Sequence, residues 1–285
     1  MELIAIDLNG TLLNRRNTIS RKNVEAIKWA QEKGTEIVIA TRRAYFDVQS
    51  ILARNGISAW IIGANGATIH SSQGQLLFEK SLEQRDAEDI IHYIDKENMY
   101  YEISSREDIY TVKSKIDLLT IEMYKLKNRN PKINLRKLEE VAERQFSQKN
   151  VHLFSTTEEA LEKAKNCYAL FGVSFHTEKL THVLKGSKKR ETVTALRSGK
   201  YLCEFTHADV SKGNALKHIA WKLNVSNDKI AAIGNDENDF SMFNFAGMAI
   251  AMGNADKKVK SSASYITACN DKDGVAHIIR HLIKE

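Results

Sequence analysis

The chain has 285 residues, of which 42% are apolar and 27% are charged. This length and composition are typical of a globular chain with one large domain or two modest ones, and they exclude intrinsic disorder. The formal net charge of +6 suits an anionic ligand, but no block of five or more like charges occurs, so we expect no nucleic-acid partner.

Short β-branched apolar runs alternate with segments of helical periodicity over the first 67 residues. Ser20 stands where a helix N-cap belongs, and Gly34 stands where the glycine after a helix belongs. Alternation at this spacing is typical of βαβ units, and near-continuous apolar strands indicate a parallel sheet covered on both faces. The predicted elements are strand 3–8, helix 20–33, strand 35–41, helix 44–55 and strand 59–67.

The middle of the chain has a different pattern, in which apolar and polar residues alternate as in a sheet with one wet face. Two such segments, 191–197 and 200–206, are separated by Ser198 and Gly199 as the strands of a hairpin would be. We interpret this region as an α+β module with an antiparallel sheet. Its predicted elements are helix 82–97, strands 99–105 and 108–114, helices 115–129 and 134–148, strand 166–176, a short helix and the hairpin.

The parallel pattern resumes after this module. The predicted elements there are helix 212–223, strand 229–235, helix 238–245, strand 248–254, strand 264–268 and helix 273–284. A parallel pattern interrupted by an α+β module predicts an α/β fold with an insertion. We expect a Rossmann-like parallel-sheet core of residues 1–81 and 199–285, with an inserted α+β domain of residues 82–198.

Polar side chains follow most of the predicted core strands. In an open parallel sheet, ligands bind outside the carboxyl ends of the strands. Taken singly, each of these residues has an ordinary structural explanation as a helix cap, a turn residue or a solvated lysine. Together and in this order they favour a functional site. They are Asp7, Asn9 and Thr11, then Thr41, Arg42 and Arg43, then Asn65 and Gly66, then Lys212, and finally Asn235, Asp236, Asn238 and Asp239.

Four segments that contain all of these residues except Asn65 and Gly66 resemble the motifs of the haloacid dehalogenase superfamily. They read DLNGTLL, ATRR, VSKGNAL and IGNDENDFSM in this chain. The last two motifs, with the module inserted between the second and third, resemble the Cof-type phosphatase branch with a C2-type cap. The resemblance implies a magnesium-dependent hydrolase of small phosphorylated metabolites, such as a sugar phosphate or a flavin or nucleotide precursor.

The resemblance also implies a role for each polar residue around the phosphate. Asp7 matches the nucleophile, which forms an aspartyl-phosphate and splits hydrolysis into two steps. Thr41 would hydrogen-bond a phosphoryl oxygen, and Lys212 would balance the charge of the nucleophile and the phosphoryl group. The other residues expected at the phosphate are Arg42, Asn65 and Asn238.

A magnesium ion is the expected cofactor, because it lets one anion approach another. Its expected ligands are Asp7, the main-chain carbonyl of Asn9, Asn235 and Asp239. For Asp239 the resemblance implies either contact with a metal-bound water or a role in holding Lys212.

The chain departs from the family pattern at three of these positions. Asn9 replaces an aspartate that serves as general acid and base, a loss that typically costs 10²–10⁴-fold in rate. Asn235 replaces a metal-binding carboxylate, so metal affinity should fall unless Asp236 compensates. Arg42 replaces a glycine and should narrow the phosphate site.

Three explanations of Asn9 remain open from the sequence. The protein is a slow or phosphate-retaining enzyme, or it is a catalytically weak or inactive member with a binding or stress-regulatory role, or the residue reflects an engineered or deamidation-related change. Deamidation is considered because the pair Asn9-Gly10 is prone to backbone attack, which would restore a carboxylate. The substrate-selecting residues of the inserted module are equally open, since Tyr101, Glu102 and His176 fit either substrate contact or strand packing.

The three cysteines are far apart and form no CxxC pair, a usage typical of a reducing compartment. Glu2 and Asp7 near the start of the chain argue against a signal peptide. No apolar stretch approaches the roughly 20 residues that cross a bilayer. We therefore expect a cytoplasmic protein without a membrane partner, whose oligomeric state the sequence leaves open.

Overall fold

The structure, a computed structural model, describes residues 1–106, 108–146, 150–187 and 190–283. The chain divides into two units. Met1–Glu79 and Val210–Glu285 form the first unit, and Lys80–Asp209 form the second. The ends of two predicted helices, residues 147–148 and residue 284, lie outside the described residues.

The first part of the first unit contains the predicted strand and helix alternation and two further strands. Ser20 caps the first helix, since its side chain accepts a hydrogen bond from the backbone amide of Asn23 at 3.2 Å. The elements are β1 (Leu3–Asp7), α1 (Arg21–Glu32), β2 (Glu36–Ala40), α2 (Tyr45–Arg54), β3 (Trp60–Gly63), β4 (Thr68–His70) and β5 (Leu76–Glu79).

The second unit is the inserted α+β module. Its elements are α3 (Gln84–Lys96), β6 (Tyr100–Ser104), β7 (Ile109–Val112), α4 (Asp117–Arg129), α5 (Leu135–Phe146), β8 (Val151–Phe154), α6 (Thr157–Ala164), β9 (Ala169–Val173), α7 (Thr177–Ser187), β10 (Val193–Arg197) and β11 (Leu202–His207). The sheet order is β10-β11-β9-β6-β7-β8, and every pair is antiparallel except β7 with β8.

The first unit is completed after the insertion. Its remaining elements are α8 (Lys212–Leu223), β12 (Ile230–Gly234), α9 (Phe240–Phe245), β13 (Met248–Ala251), α10 (Lys257–Ser261), β14 (Tyr265–Ile266) and α11 (Gly274–Leu282). The sheet order is β14-β13-β12-β1-β2-β3-β4-β5. All pairs from β14 to β3 are parallel, and β4 and β5 add an antiparallel edge. The α/β fold class is confirmed.

The sheet of the first unit is buried on both faces, as its continuous apolar strands predict. Ile4 and Ile6 of β1 pack on the face covered by α1, α2 and α11. Leu3 and Ala5 point to the opposite face, which is covered by α8, α9 and α10. Burial of a Leu or Ile side chain contributes about 1.5–3 kcal/mol, so this layer holds the carboxyl end of β1 in a fixed place.

The second boundary of the insertion differs from the predicted one at residue 199. Strand β11 pairs with β10 and with β9, with Cys203 opposite Arg197 on one side and Gly172 on the other. It is therefore part of the second sheet, and the first unit resumes only at Val210. The predicted hairpin of 191–197 and 200–206 is present, but the predicted boundary cut it in two.

The third predicted strand, 59–67, ends earlier than expected. The chain turns at Ala64, Asn65 and Gly66, which have φ values of 45°, 54° and 109°. The amides of Ala64 and Asn65 donate to the main-chain oxygens of Arg43 and Thr41 at 3.0 and 2.9 Å. This turn therefore attaches the end of β3 to the loop that follows β2.

Two of the three cysteines, Cys167 and Cys203, are buried in the second unit, and Cys269 is half-buried. Burial raises the pKa of the Cys203 thiol to about 12, which keeps it protonated and inert at neutral pH. Among the described residues, no helix is both long and apolar enough to cross a membrane.

We expect Gly66→Ala to lower the free energy of unfolding by about 2–4 kcal/mol, because a methyl group there adds strain at positive φ and meets the main chain of Ser211. Gly34→Ala is the matched control, since Gly34 also has a positive φ (82°) but open space around it. It should cost only about 1 kcal/mol. Urea unfolding of both variants measures the difference, and equal losses would contradict this account of the turn.

Candidate active site

The centre of the site is the ammonium group of Lys212, the first residue of α8. Its Nζ lies 2.7 Å from Oδ1 of Asp7 at the end of β1 and 2.7 Å from Oδ1 of Asp239. Lys212 is 1% exposed, Asp7 5% and Asp239 0%. The structure thus brings together a predicted nucleophile, a predicted charge-balancing lysine and a predicted acidic partner, all in the first unit.

The protonation of this group is set by burial and by the two carboxylates. Burial, assisted by the charge of Asp239, raises the pKa of Asp7 to about 6 against the opposing effect of Lys212. Burial also opposes the charge of Lys212, but the two carboxylates outweigh it and raise the pKa of the ammonium. The folded state binds the proton of Asp7 more tightly than the unfolded chain does. The contribution of Asp7 to the free energy of unfolding therefore falls as the pH rises from about 4 to about 6.

Asp239 has the second of its two predicted roles. Its Oδ2 accepts the backbone amides of Asn235 and Asp236 at 2.9 and 3.1 Å, while Oδ1 accepts from Lys212. Both oxygens thus contact the lysine and the loop after β12, and a contact of Asp239 with a metal stays a prediction. Oδ1 of Asp236 caps the following turn at Glu237, and its compensation for Asn235 stays a prediction too.

Three oxygen atoms meet at the end of β1. Oδ1 of Asn235 lies 2.9 Å from the main-chain oxygen of Asn9 and 3.0 Å from Oδ2 of Asp7, and it accepts a hydrogen bond from Thr11 Oγ1 at 2.8 Å. Turned about its last bond, the amide donates through Nδ2 to the main-chain oxygen of Asn9, to Asp7 Oδ2 and to Thr11 Oγ1, and hydrogen bonding alone favours this second orientation. Acceptors this close repel one another unless an N–H group or a cation lies among them.

This oxygen set fits magnesium. Neighbouring ligands of an octahedral Mg²⁺ at 2.0–2.1 Å are separated by about 2.9 Å. The set contains one carboxylate, one main-chain carbonyl and one amide oxygen, so it supplies only one formal negative charge. The described part of the chain contains no cluster of three or more His, Cys, Asp or Glu side chains that could hold a metal ion. A cation at this site would depend on Asp7, Asn9 and Asn235.

The predicted phosphate-binding residues lie along the ends of β2 and β3. Thr41 is fully buried, and its Oγ1 accepts from the backbone amide of Arg43 at 3.2 Å. The amide of Asn65 donates to the main-chain oxygen of Thr41, and Oδ1 of Asn65 accepts from Asn238 Nδ2 at 3.3 Å. Thr41, Asn65 and Asn238 are therefore adjacent, while the contact of Arg42 with phosphate stays a prediction.

Arg43 is one of the polar residues after the second predicted strand, but the sequence analysis gave it no role in the site. Its Nε and Nη2 donate to Oδ1 of Asn9 at 3.0 and 2.7 Å, and its Nη1 pairs with Asp47 Oδ2 at 2.7 Å. The spacing of Arg43 and Asp47, four residues apart at the start of a helix, was a signal that could have indicated this pair.

Asn254, in the loop after β13, supports the loop that carries Asn9. Its Nδ2 donates to the main-chain oxygen of Gly10 at 2.8 Å, and its Oδ1 accepts from the amide of Asn270. Asn254 therefore links the loop after β13 to the loop after β1.

In the second unit, Tyr101 is a packing residue. It belongs to the apolar core of that unit and its hydroxyl group contacts Thr157 Oγ1 at 2.7 Å. Glu102 is buried and accepts from Tyr100 Oη at 2.7 Å. A role for Glu102 or His176 in substrate selection stays a prediction.

The first unit is built on a parallel sheet whose sequence is interrupted by an inserted α+β unit. At the carboxyl ends of its strands, an aspartate contacts a buried lysine. This combination is typical of hydrolases that transfer phosphoryl groups. The chain belongs to the haloacid dehalogenase-like hydrolases, since the sequence model of that family matches residues 4–279.

Two curated relatives cover nearly the whole chain. The chain is 39% identical to the phosphatase YwpJ of Bacillus subtilis (strain 168), over 99% of this chain and 100% of the relative. It is 35% identical to the 5-amino-6-(5-phospho-D-ribitylamino)uracil phosphatase YwtE of the same strain, over 99% and 98%. The chain is therefore a phosphatase, that is, a phosphoric monoester hydrolase.

Solved structures agree with this assignment. A haloacid dehalogenase-like hydrolase from B. subtilis superposes with a TM-score of 0.86 at 40% identity, over 99% of this chain and 100% of the other. The neighbours of the same fold include a sugar phosphatase of subclass IIB of the superfamily. The predicted Cof-type branch is confirmed.

We expect Lys212→Met to lower the free energy of unfolding by about 3–5 kcal/mol at pH 8, because two buried carboxylates lose their counter-ion. The loss should be smaller at pH 5, where Asp7, whose pKa is raised to about 6, is largely protonated. Lys217→Met is the matched control, since Lys217 is exposed on the same helix and should change stability by less than about 0.5 kcal/mol. Urea unfolding at both pH values measures these effects; a loss independent of pH would contradict the charge account.

Proposed function

We propose that this phosphatase is magnesium-dependent and transfers the phosphoryl group of a small phosphorylated metabolite to Asp7 before water releases it. The observation that carries the proposal is that the two carboxylate oxygens of Asp7 have different neighbours. One carboxylate oxygen is held by the buried ammonium of Lys212, and the other lies in the oxygen set that fits a cation. A carboxylate oxygen that accepts a hydrogen bond from an ammonium group still has a lone pair with which to attack phosphorus.

The residues of the chain have distinct parts in the first step. Asp7 forms a bond to phosphorus as the ester P–O bond breaks and the leaving group departs with its electron pair. Lys212 balances the negative charge that collects around the nucleophile, and Thr41 Oγ1 is placed to donate to a phosphoryl oxygen. A bound Mg²⁺ would neutralise phosphoryl oxygens.

In the second step, water attacks phosphorus and the Asp7 carboxylate is restored as inorganic phosphate leaves. An aspartate at position 9 would take the proton from that water, but the amide of Asn9 has no basic site for it. The proton passes to solvent instead. We therefore propose a slow second step in which phosphorylated Asp7 accumulates.

The substrate is proposed to be a phosphorylated sugar or a flavin or nucleotide precursor. One curated relative is named for the phosphate ester of a ribitylaminouracil, which supports a substrate of that size and polarity. The proposed location is the cytoplasm.

The second candidate function is binding without turnover. The observation that favours it is the replacement of two carboxylates by Asn9 and Asn235, which removes a general acid and base and one metal-binding charge. Asp7-dependent release of phosphate would decide against it.

We expect wild-type protein with Mg²⁺ to show a burst of p-nitrophenolate from p-nitrophenyl phosphate, equal to the enzyme concentration, followed by slow turnover. Asp7→Asn should remove both phases, and Asn9→Asp should remove the burst by accelerating the second step about 10²-fold or more. Rapid-mixing absorbance measures both phases. No turnover by either wild type or Asn9→Asp would sink the proposed function.

We expect Asn235→Asp to lower the dissociation constant for Mg²⁺ about tenfold, which corresponds to about 1.4 kcal/mol, because it adds a charge to a set of oxygens that has only one. Asn227→Asp is the control, since it adds the same charge before β12, at the opposite edge of the sheet. Titration calorimetry with Mg²⁺ alone provides a readout independent of activity. Equal effects of the two substitutions would argue against a cation at Asn235.

A further inference from the structure

The side chain of Asn9 has a defined orientation. Arg43 donates twice to its Oδ1, through Nε at 3.0 Å and Nη2 at 2.7 Å. The guanidinium is held in turn by Asp47, a residue of the first turn of α2, with Nη1 2.7 Å from Oδ2. The side chains of this pair are largely buried, at 26% and 19% exposed.

This contact decides which end of the amide is available. A guanidinium has only donors, so it pairs with the oxygen of the amide and never with its nitrogen. Within residues 1–106, 108–146, 150–187 and 190–283, Nδ2 of Asn9 donates to no protein acceptor. Position 9 therefore presents an N–H group that can donate a hydrogen bond. Its proton is not acidic enough to be transferred, and the amide nitrogen has no basic lone pair to accept one.

We propose that Asn9, oriented by Arg43, stabilises the phosphoryl group by a hydrogen bond only, so that phosphoryl transfer to Asp7 is much faster from monoesters of acidic hydroxyls, such as phenols and enols, than from alkyl esters such as the proposed metabolites. This inference rests on the proposed function of the same site and predicts its leaving-group dependence. Arg43 is a positioning residue in this account, because it acts through Asn9.

This leaving-group dependence follows from the balance of the first step. As the P–O bond to Asp7 forms and the ester bond breaks, the electron pair of the ester bond goes to the leaving oxygen. A phenolate or enolate carries that charge and is protonated later by solvent. An alkoxide is far more basic and needs to receive a proton in the transition state. The amide of Asn9 cannot supply that proton. The absent acid should therefore cost about 10²–10⁴-fold on alkyl esters and little on esters of acidic hydroxyls.

The test compares leaving groups in the magnesium-loaded enzyme. Single-turnover rates of Asp7 phosphorylation are measured for p-nitrophenyl phosphate, for phenyl phosphates of decreasing acidity and for glycerol phosphate. In wild type the rate should fall steeply along this series. In Asn9→Asp the decline should be shallow, with a gain of 10²-fold or more on glycerol phosphate and less than about fivefold on p-nitrophenyl phosphate.

Two results would overturn the inference while leaving the proposed function intact. One is a wild type that transfers phosphoryl groups from glycerol phosphate as fast as from p-nitrophenyl phosphate. The other is the same leaving-group dependence in wild type and Asn9→Asp. Failure of the proposed function has a different signature, since no ester at all, p-nitrophenyl phosphate included, would phosphorylate Asp7, and that result overturns both.

The role of Arg43 is tested by a double-mutant cycle on the rate with p-nitrophenyl phosphate. Arg43→Met should reduce the rate about fivefold or more in wild type but should have no further effect in Asn9→Ala, because Arg43 acts only through the amide. Arg54→Met, an exposed arginine at the end of α2, is the matched control and should leave the rate unchanged. A reduction by Arg43→Met that is the same in both backgrounds would show that Arg43 supports the fold instead.

Discussion

The buried ammonium of Lys212 is the interaction on which the arrangement of this site depends. Two carboxylates, Asp7 and Asp239, come from different ends of the chain and would repel each other without it. Each charge removed from water costs several kcal/mol, so the three groups are stable only together. The charge network therefore joins the end of β1, the start of α8 and the loop after β12, which are also the elements that define the site.

The amides at positions 9 and 235 change the charge of the site without changing its shape. Asn235 keeps an oxygen near the main chain of Asn9 and Asp7, and Asn9 keeps a side chain of the size of aspartate. Each substitution removes one negative charge, which weakens the expected hold on a cation but also reduces the repulsion of an incoming phosphate anion. The family architecture thus remains, while the proton chemistry at position 9 differs.

Arg43 shows why an isolated motif is incomplete evidence for mechanism. The sequence places two arginines after Thr41 and gives no reason to prefer the second. In the structure, Asp47 and the oxygen of Asn9 hold the guanidinium of Arg43 from two sides. Arg43 thereby decides which end of an amide 34 residues earlier in the chain is available.

The sequence by itself determined the α/β class and the alternation of strands and helices in the first unit, and it named Asp7, Thr41 and Lys212 as residues expected at the carboxyl edge of the sheet. Local periodicity and the residues at strand ends carry that information, because buried parallel strands are apolar and their ligand-binding residues follow them directly. The tertiary structure alone decided that β11 belongs to the inserted sheet, that the chain turns at Ala64, that Asp239 holds the lysine and that Arg43 orients Asn9. These outcomes depend on strand pairing and on side chains that are distant in sequence, and no local pattern records which partners the folded chain brings within hydrogen-bonding distance.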